Sequence, residues 1–281
     1  MDVMSTDNTL VLGATGKTGR RVAARLRLAG TPVRTASRSS QVRFDWTEPD
    51  TWDAALRGIT AVYLIAPGRV GAADDFVAAA EAAGVRRLVL LSGRGADTWG
   101  DSPFGRDTRS AEDAVRGGSL EWTIVRASNF QQNFDEDVFH APLVAGELAL
   151  PAGEVPEPFI DVEDVAAVAA AVLTRPGDHA GRTYELTGPR GLTFGEAVEQ
   201  ISRASGLPIT YKQVSTAEYI AAAVEQGLSE QEARSVADMF ELMAGGLIAA
   251  TTDDVAAVLG RQPRSFEDYV VRTAAAGAWQ R

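Results

Sequence analysis

Glycines at positions 13, 16 and 19 punctuate the segment Gly13-Ala14-Thr15-Gly16-Lys17-Thr18-Gly19, which follows an apolar run and opens an amphipathic one. Glycine there permits a tight turn and a close backbone approach, so that amide N–H groups and the positive end of the following helix can face an anion. In a strand–loop–helix context this predicts a pyrophosphate cradle, hence a dinucleotide site. The spacing carries one residue more in its first interval than the usual G-x-G-x-x-G. Gly16-Lys17-Thr18 also matches the end of an ATP-binding P-loop, but the first glycine of that motif would fall on Val11, inside the strand. A triphosphate is therefore the weaker reading, and glycines that serve only helix–strand packing are the remaining alternative. The expected phosphate contacts are Gly13, Thr15, Gly16, Lys17, Thr18 and Gly19.

NAD-specific folds place an acidic residue about 20 positions past the loop, at the end of the second strand, to hold the ribose 2′-hydroxyl. Here that stretch reads Thr35-Ala36-Ser37-Arg38-Ser39-Ser40 and holds no carboxylate. Arg38 instead offers a planar guanidinium fork suited to a 2′-phosphate, and Ser37 and its neighbours can add hydrogen bonds. The expected cofactor is NADPH/NADP+.

Carbonyl reduction on such a fold needs a proton donor, usually a Tyr-x-x-x-Lys pair whose lysine lowers the tyrosine pKa. The residues four positions after Tyr63, Tyr184, Tyr211, Tyr219 and Tyr269 are Pro67, Gly188, Ser215, Ala223 and Thr273, none of them lysine. Counting on from Ser92 to the helix that would carry the pair reaches Phe104-x-x-x-Thr108. The relay is absent. Ser92 is left as a candidate to hydrogen-bond a substrate oxygen. Asp101, Asp107 and Glu112 are acids that could donate protons, each with the simpler alternative of a solvated loop or helix acid.

These residues need positioning elements. Short β-branched runs at Thr9–Leu12, Val33–Ala36, Val42–Phe44, Ala61–Ile65, Arg87–Leu91 and Trp122–Val125 alternate with helical stretches. Those are Thr18–Leu28, Pro49–Leu56, Ala72–Ala83 and Thr108–Arg116. Gly30, Gly58, Gly84 and Gly117 fall just past them, where a left-handed cap favours glycine. The alternation predicts an α/β fold, a Rossmann-type doubly wound parallel sheet. From Ser128 to Pro158 it lapses into a Pro- and Gly-punctuated segment. It resumes with a short strand at Phe159-Ile160-Asp161, a helix capped by Asp164 with Val165, Val168, Ala169 and Val172 on its apolar face, and a strand at Thr183–Leu186. Capping boxes at Thr193/Glu196, Ser215/Glu218 and Ser229/Glu232 then mark helix starts. The expected organisation is a nucleotide-binding core over 1–127, a cleft segment over 128–158, a returning strand–helix–strand over 159–190, and a smaller, mainly helical substrate lobe over 191–281.

Composition narrows the class. With 45% hydrophobic and 23% charged residues the chain is an ordinary globular one. A net charge of -11 argues against nucleic acid or an anionic membrane as partner. No cysteine is present, and the two histidines, His140 and His179, lie in turn-rich stretches with the reading of surface loop residues; no metal site is expected. No apolar run reaches the roughly 20 residues of a membrane span. The polar start, Met1 to Asn8, lacks the pattern of a signal peptide, so a cytoplasmic location is expected. Lysine is limited to Lys17 and Lys212, which singles out the one in the glycine loop.

A family resemblance rests on specific stretches: Val11–Arg20, Ser37-Arg38, Phe44-Asp45-Trp46, Val62–Pro67, Leu88–Ser92, Glu121–Arg126 and Phe130–Phe134. It extends through Phe159–Ala166, Tyr184–Gly188 and Leu259-Gly260-Arg261. With these the chain resembles the NmrA-like atypical short-chain dehydrogenases/reductases, and within them the bacterial relatives of ergot-alkaloid reductases of agroclavine dehydrogenase type. The resemblance implies that Asp45 and Trp46 flank the adenine, that Ala66 and Pro67 lie under the nicotinamide-side ribose, and that Ser92, Phe130 and Asn133 surround the reactive end of the cofactor. Trp99, Phe104, Phe130 and Phe134, with Phe139, are candidate apolar lining; ordinary core packing is the alternative for each. The implied activity is NADPH-dependent hydride delivery to a small apolar acceptor of iminium, quinone or azo type, as in secondary metabolism. A catalytically silent NADP(H)-binding sensor and a non-redox cyclase or isomerase are the other readings. The expected partner is a small molecule; a homo-oligomer is left open.

Overall fold

The computed structural model describes residues 8–280; the polar start Met1 to Asp7 lies outside them. In chain order the elements are β1 (Thr9–Leu12), α1 (Lys17–Leu28), β2 (Val33–Ser37), β3 (Val42–Arg43), α2 (Trp52–Leu56), β4 (Ala61–Ile65), α3 (Ala72–Ala82) and β5 (Arg87–Gly93). Then come α4 (Pro103–Gly117), β6 (Glu121–Ala127), α5 (His140–Ala145), β7 (Glu147–Leu150), α6 (Val162–Thr174) and β8 (Arg182–Leu186). The chain ends with α7 (Phe194–Ser205), β9 (Thr210–Gln213), α8 (Thr216–Glu225), α9 (Glu230–Ala244), α10 (Asp254–Leu259) and α11 (Phe266–Ala275).

Two compact units emerge. The first comprises the chain up to Ala127 together with Val162–Leu186 and Asp254–Arg261. Its seven strands form one parallel sheet in the order β3-β2-β1-β4-β5-β6-β8. The central strands β1, β4 and β5 are buried along nearly their whole length because both faces are covered. Leu10, Leu12, Val62, Leu64, Leu88, Leu90 and Ile124 meet Phe76, Val77, Ala80, Ala111 and Val115 of α3 and α4 in one core. On the other face α1 packs on β1 and β2, and α6 on β4, β5 and β6. The short helix α10 packs on α6 and β8, and Arg261 just beyond it pairs with the buried Asp164 of α6 at 2.6 Å. That ion pair accounts for two of the stretches that carry the family resemblance.

The second unit comprises Ser128–Asp161, Thr187–Asp253 and the chain from Gln262. Its core is a chain of packed rings, Phe134, Phe139, Phe159, Phe194, Phe240 and Phe266, with neighbouring centroids 5.1–5.8 Å apart along it. All three capping boxes are formed, at Thr193, Ser215 and Ser229.

Several sequence expectations are corrected. Phe159–Asp161 is no strand but a single parallel bridge from Ile160 to Phe130. The segment around 128–158 and the C-terminal stretch each supply a strand that no alternation announced: β7 and β9 pair in parallel, Glu147 to Leu150 against Thr210 to Gln213. Asp164 lies inside the first turn of α6 rather than capping it. Gly117 is the last helical residue of α4 without a positive φ, whereas Gly30, Gly58 and Gly84 do turn left-handed. Neither histidine is a surface loop residue. His140 opens α5, its Nε2 2.7 Å from the Ala278 carbonyl; His179 is buried, its Nδ1 2.8 Å from the Tyr184 hydroxyl.

Candidate functional site

The strand order reverses between β1 and β4, and ligands of open α/β sheets bind at such a switch point, outside the carboxyl ends of the strands. Gly13 stands there at the end of β1 with φ +61°, a region that an L side chain resists. A Cβ on Gly19 would lie 2.3 Å from the Gly13 carbonyl oxygen, so helix and loop touch backbone to backbone. The turn closes with Gly16 N–H donating to Gly13 O at 2.9 Å. Gly16 is the N-cap of α1; no side chain caps the helix and its first turn holds no acid. Thr15 and Gly16 are exposed, Lys17 is half-buried, and Thr18 is buried under the turn. A helix start without an internal anion, cradled by glycines that admit no side chain, fits a pyrophosphate. Beside it Ala66 and Pro67 leave β4 half-buried, Ala66 N–H bonding Leu91 O at 3.0 Å.

At the end of β2 the side chains sort by role. The Ser37 hydroxyl is spent on the turn: it shares a proton with the Ser40 hydroxyl at 2.6 Å and accepts from Ser39 N–H at 3.3 Å. It shapes the loop that presents Arg38, which is exposed. Asp45 accepts from the Thr47 N–H and hydroxyl at 2.9 and 2.8 Å. Those bonds hold its carboxyl below the usual range, with smaller help from Arg43 and Arg38. Trp46 is the half-buried edge of a four-ring cluster with Phe44, Trp52 and Phe76, its centroid 5.1 Å from Phe44 and 5.2 Å from Phe76. The cluster anchors one wall by burial and leaves an indole at the rim.

At the ends of β5 and β6 lies a network that sequence reasoning missed. The Ser92 hydroxyl donates to Glu112 Oε1 at 2.7 Å. Glu112 is 1% exposed and is gripped by Arg126 through two bonds of 2.8 Å, while Arg116 reaches it at 2.9 Å. Arg126 continues to Asp97 at 2.5 Å and to Glu185 at 3.2 Å, and Arg94 meets Glu185 at 3.1 Å. Burial works against the charge on Glu112, but the bonds from Arg126 and Ser92 outweigh it and hold the carboxyl below its ordinary range. Glu112 is therefore neither the solvated acid nor the proton donor considered from sequence; it is a buried carboxylate. One signal was legible: Arg126 closes an apolar strand, and a buried guanidinium demands a carboxylate. Asp101 is exposed and Asp107 half-buried, as surface acids are.

Helix α4 begins at Pro103, earlier than the spacing predicts, so it carries both Phe104 and Thr108. The Phe104 ring lies over Gly93, where a Cβ would come within 2.4 Å of its Cζ, and Trp99 lies over Gly95 in the same way. The two rings pack at 5.0 Å. Thr108 turns its hydroxyl back onto the Phe104 carbonyl at 2.7 Å. Trp99 and Phe104 thus belong to the first unit, whereas Phe130, Asn133 and Phe134 belong to the second. There Phe134 is fully buried in the ring core and its carbonyl accepts from the Trp279 indole at 2.8 Å, which makes it a core residue. Phe130 and Asn133 stay half-buried, joined by Asn133 N–H to Phe130 O at 3.0 Å.

No group of three or more metal-ligating side chains lies together among the described residues. No helix there is long and apolar enough to cross a membrane.

Comparison with known proteins matches this geometry. Residues 13–176 fit the NAD(P)H-binding family model. The chain is 32% identical to the NAD(P)H azoreductase of Xenophilus azovorans, over 95% of this chain and 98% of that protein. It is 28% identical to the agroclavine dehydrogenase of Claviceps fusiformis, over 93% and 95%. Among solved structures, the NADPH-dependent quinone oxidoreductase QOR2 of Escherichia coli, complexed with NADPH, superposes with a TM-score of 0.80 at 24% identity, over 94% of this chain and 99% of that one. The chain belongs to the NAD(P)H-binding family, and it shares the fold of NmrA in complex with NADP, with a TM-score of 0.75 at 17% identity.

Proposed function

We propose that the protein is an NADPH-dependent reductase that delivers hydride to a small apolar acceptor of iminium, quinone or azo type without a Tyr/Lys proton relay. The observation that carries this reading is Phe104. It stands on α4 where the relay tyrosine is expected, its ring laid over Gly93, while Thr108 spends its hydroxyl inside the helix. Ser92 adds to it: its only proton goes to Glu112. An acceptor that is already cationic or strongly polarised needs less acid from the protein than a ketone does, and an azoreductase among the relatives is consistent with that chemistry.

The bound nicotinamide would supply the hydride. The residues of the chain bind and orient it. The glycine loop and the start of α1 hold the pyrophosphate, Arg38 faces the 2′-phosphate, Asp45 and Trp46 flank the adenine, and Ala66 and Pro67 support the second ribose. Trp99 and Phe104 are the proposed apolar lining, whose work is to place the acceptor and exclude water.

The test is NADPH consumption, followed at its absorbance, across iminium, quinone, azo and simple ketone acceptors. Turnover of one of the first three classes with ketones inert supports the reading. Ketone turnover overturns the relay-free mechanism. Tight NADPH binding with no acceptor consumed favours an NADP(H)-binding sensor of NmrA type, which the same Phe104 would suit.

A further inference from the structure

The sequence points to Arg38 as the guanidinium for the cofactor 2′-phosphate, with Lys17 and Arg20 adding positive potential. The structure brings a second guanidinium to the same place. Strand β3 runs beside the end of β2 with Arg43 in register with Ser37, the residue before Arg38. Phe44 N–H bonds Ser37 O at 3.0 Å and fixes that alignment. Val42 and Phe44 turn into the apolar core, so Arg43 between them projects from the opposite face, the one it shares with Ser37. Arg38 follows Ser37 directly, so Arg43, in register with Ser37, stands beside the turn that presents Arg38.

Arg43 is not idle: its Nη2 lies 2.6 Å from Glu48 Oε1, with the two side chains 53% and 47% exposed. An ion pair that open to water contributes little. A phosphate monoester carries nearly two charges and three acceptor oxygens, and a guanidinium meets it through two parallel bonds. Exchange of Glu48 for the phosphate is therefore favourable on charge and on geometry.

The geometry points to Arg43 as a second specificity-determining residue for the cofactor, released by Glu48 to clamp the 2′-phosphate opposite Arg38. This rests on the NADPH preference proposed above. Glu48 then acts as a competitor: when no 2′-phosphate is present it takes Arg43 back, so NADH gains nothing from the clamp.

The test is calorimetric titration, at one ionic strength, of the wild type, Arg43→Gln, Arg43→Lys, Glu48→Gln and Arg38→Gln with NADPH, NADH, 2′,5′-ADP and 5′-ADP. Arg43→Gln is expected to weaken NADPH and 2′,5′-ADP about tenfold and to leave NADH and 5′-ADP within about twofold, because only charge-assisted bonds to the extra phosphate are lost. Glu48→Gln is expected to tighten NADPH and 2′,5′-ADP alone, and Arg43→Lys to recover part of the loss. Equal weakening of phosphorylated and unphosphorylated ligands in Arg43→Gln, or no change in either, overturns the proposal. Should Arg38→Gln separate the two ligand types while Arg43→Gln does not, Arg43 is excluded and the NADPH preference stands. Should neither variant separate them, the preference itself falls with it. Both arginines are on the surface, and unchanged melting temperatures confirm the fold of each variant.

Discussion

Ser92 and Glu112 are joined by a 2.7 Å hydrogen bond in which the serine hydroxyl is the donor. This one contact removes from the end of β5 the proton that a reductase would offer to a substrate oxygen. It also gives a buried carboxylate a third partner beside two guanidiniums. Ser92, a candidate for chemistry in the sequence, here stabilises a buried charge.

Glu112→Ala should be severely destabilising. Breaking a buried pair leaves Arg126 without its bidentate partner, at a cost of about 3–5 kcal/mol. Ser92→Ala removes one bond to a charged group and is expected to cost about 1.5–3 kcal/mol at most. Chemical denaturation of the two variants checks the order; equal losses would mean that the ion pair is not the stronger element.

Acid should unfold the protein through the same group. The Glu112 and Glu163 carboxyls are held below their ordinary value of 4.5, and the Asp97 carboxyl below its ordinary 3.8. A group whose folded pKa is lower than its unfolded one contributes fully above the unfolded value and loses that contribution as pH falls through the folded one. Stability should therefore be flat above the ordinary carboxylate range and fall steeply below it. Melting temperature against pH measures this, and the fall should be shallower in Glu163→Gln, where Arg21 and Arg25 lose their carboxylate.

Gly19→Ala should abolish tight cofactor binding with less effect on the fold. Its Cβ would stand 2.3 Å from Gly13 O, and backbone rather than a flexible side chain must yield. Overpacking of this kind costs about 1–3 kcal/mol. Displacement of α1 from the loop is expected to weaken NADPH by an order of magnitude or more, ~1.4 kcal/mol per tenfold. Titration with NADPH, alongside melting of the free protein, separates the two effects.

Gly93→Ala tests the wall. The new methyl would meet Phe104 Cζ at 2.4 Å and must push aside a ring already packed on Trp99. Acceptor KM should change while the NADPH dissociation constant does not. A change in cofactor affinity alone would show that Phe104 faces the nucleotide and not the acceptor.

Much of the fold was readable along the chain because its causes are local. Alternating apolar runs and helices, a glycine turn between β1 and α1, and three capping boxes each follow from neighbours a few residues apart. Pairs of distant segments were not readable. Strands β7 and β9 are four residues each, too short for a pattern to announce them, and their pairing, Leu148 beside Tyr211, makes each a strand. His179 reads as a loop residue until Tyr184 and the residues packed around it enclose it.

The chemistry divides in the same way. The sequence by itself determined the cofactor class, since Gly13, Gly16 and Gly19 act through backbone geometry inside one turn, and Arg38 follows β2 directly. It also showed that no tyrosine of the chain has a lysine four residues on, whatever the fold. Only the tertiary structure showed which partners Ser92, Glu112 and Arg43 have. A hydroxyl, a carboxylate and a guanidinium take their roles from whichever partner stands within hydrogen-bond reach, and here those partners come from another element or from beyond the strand's end.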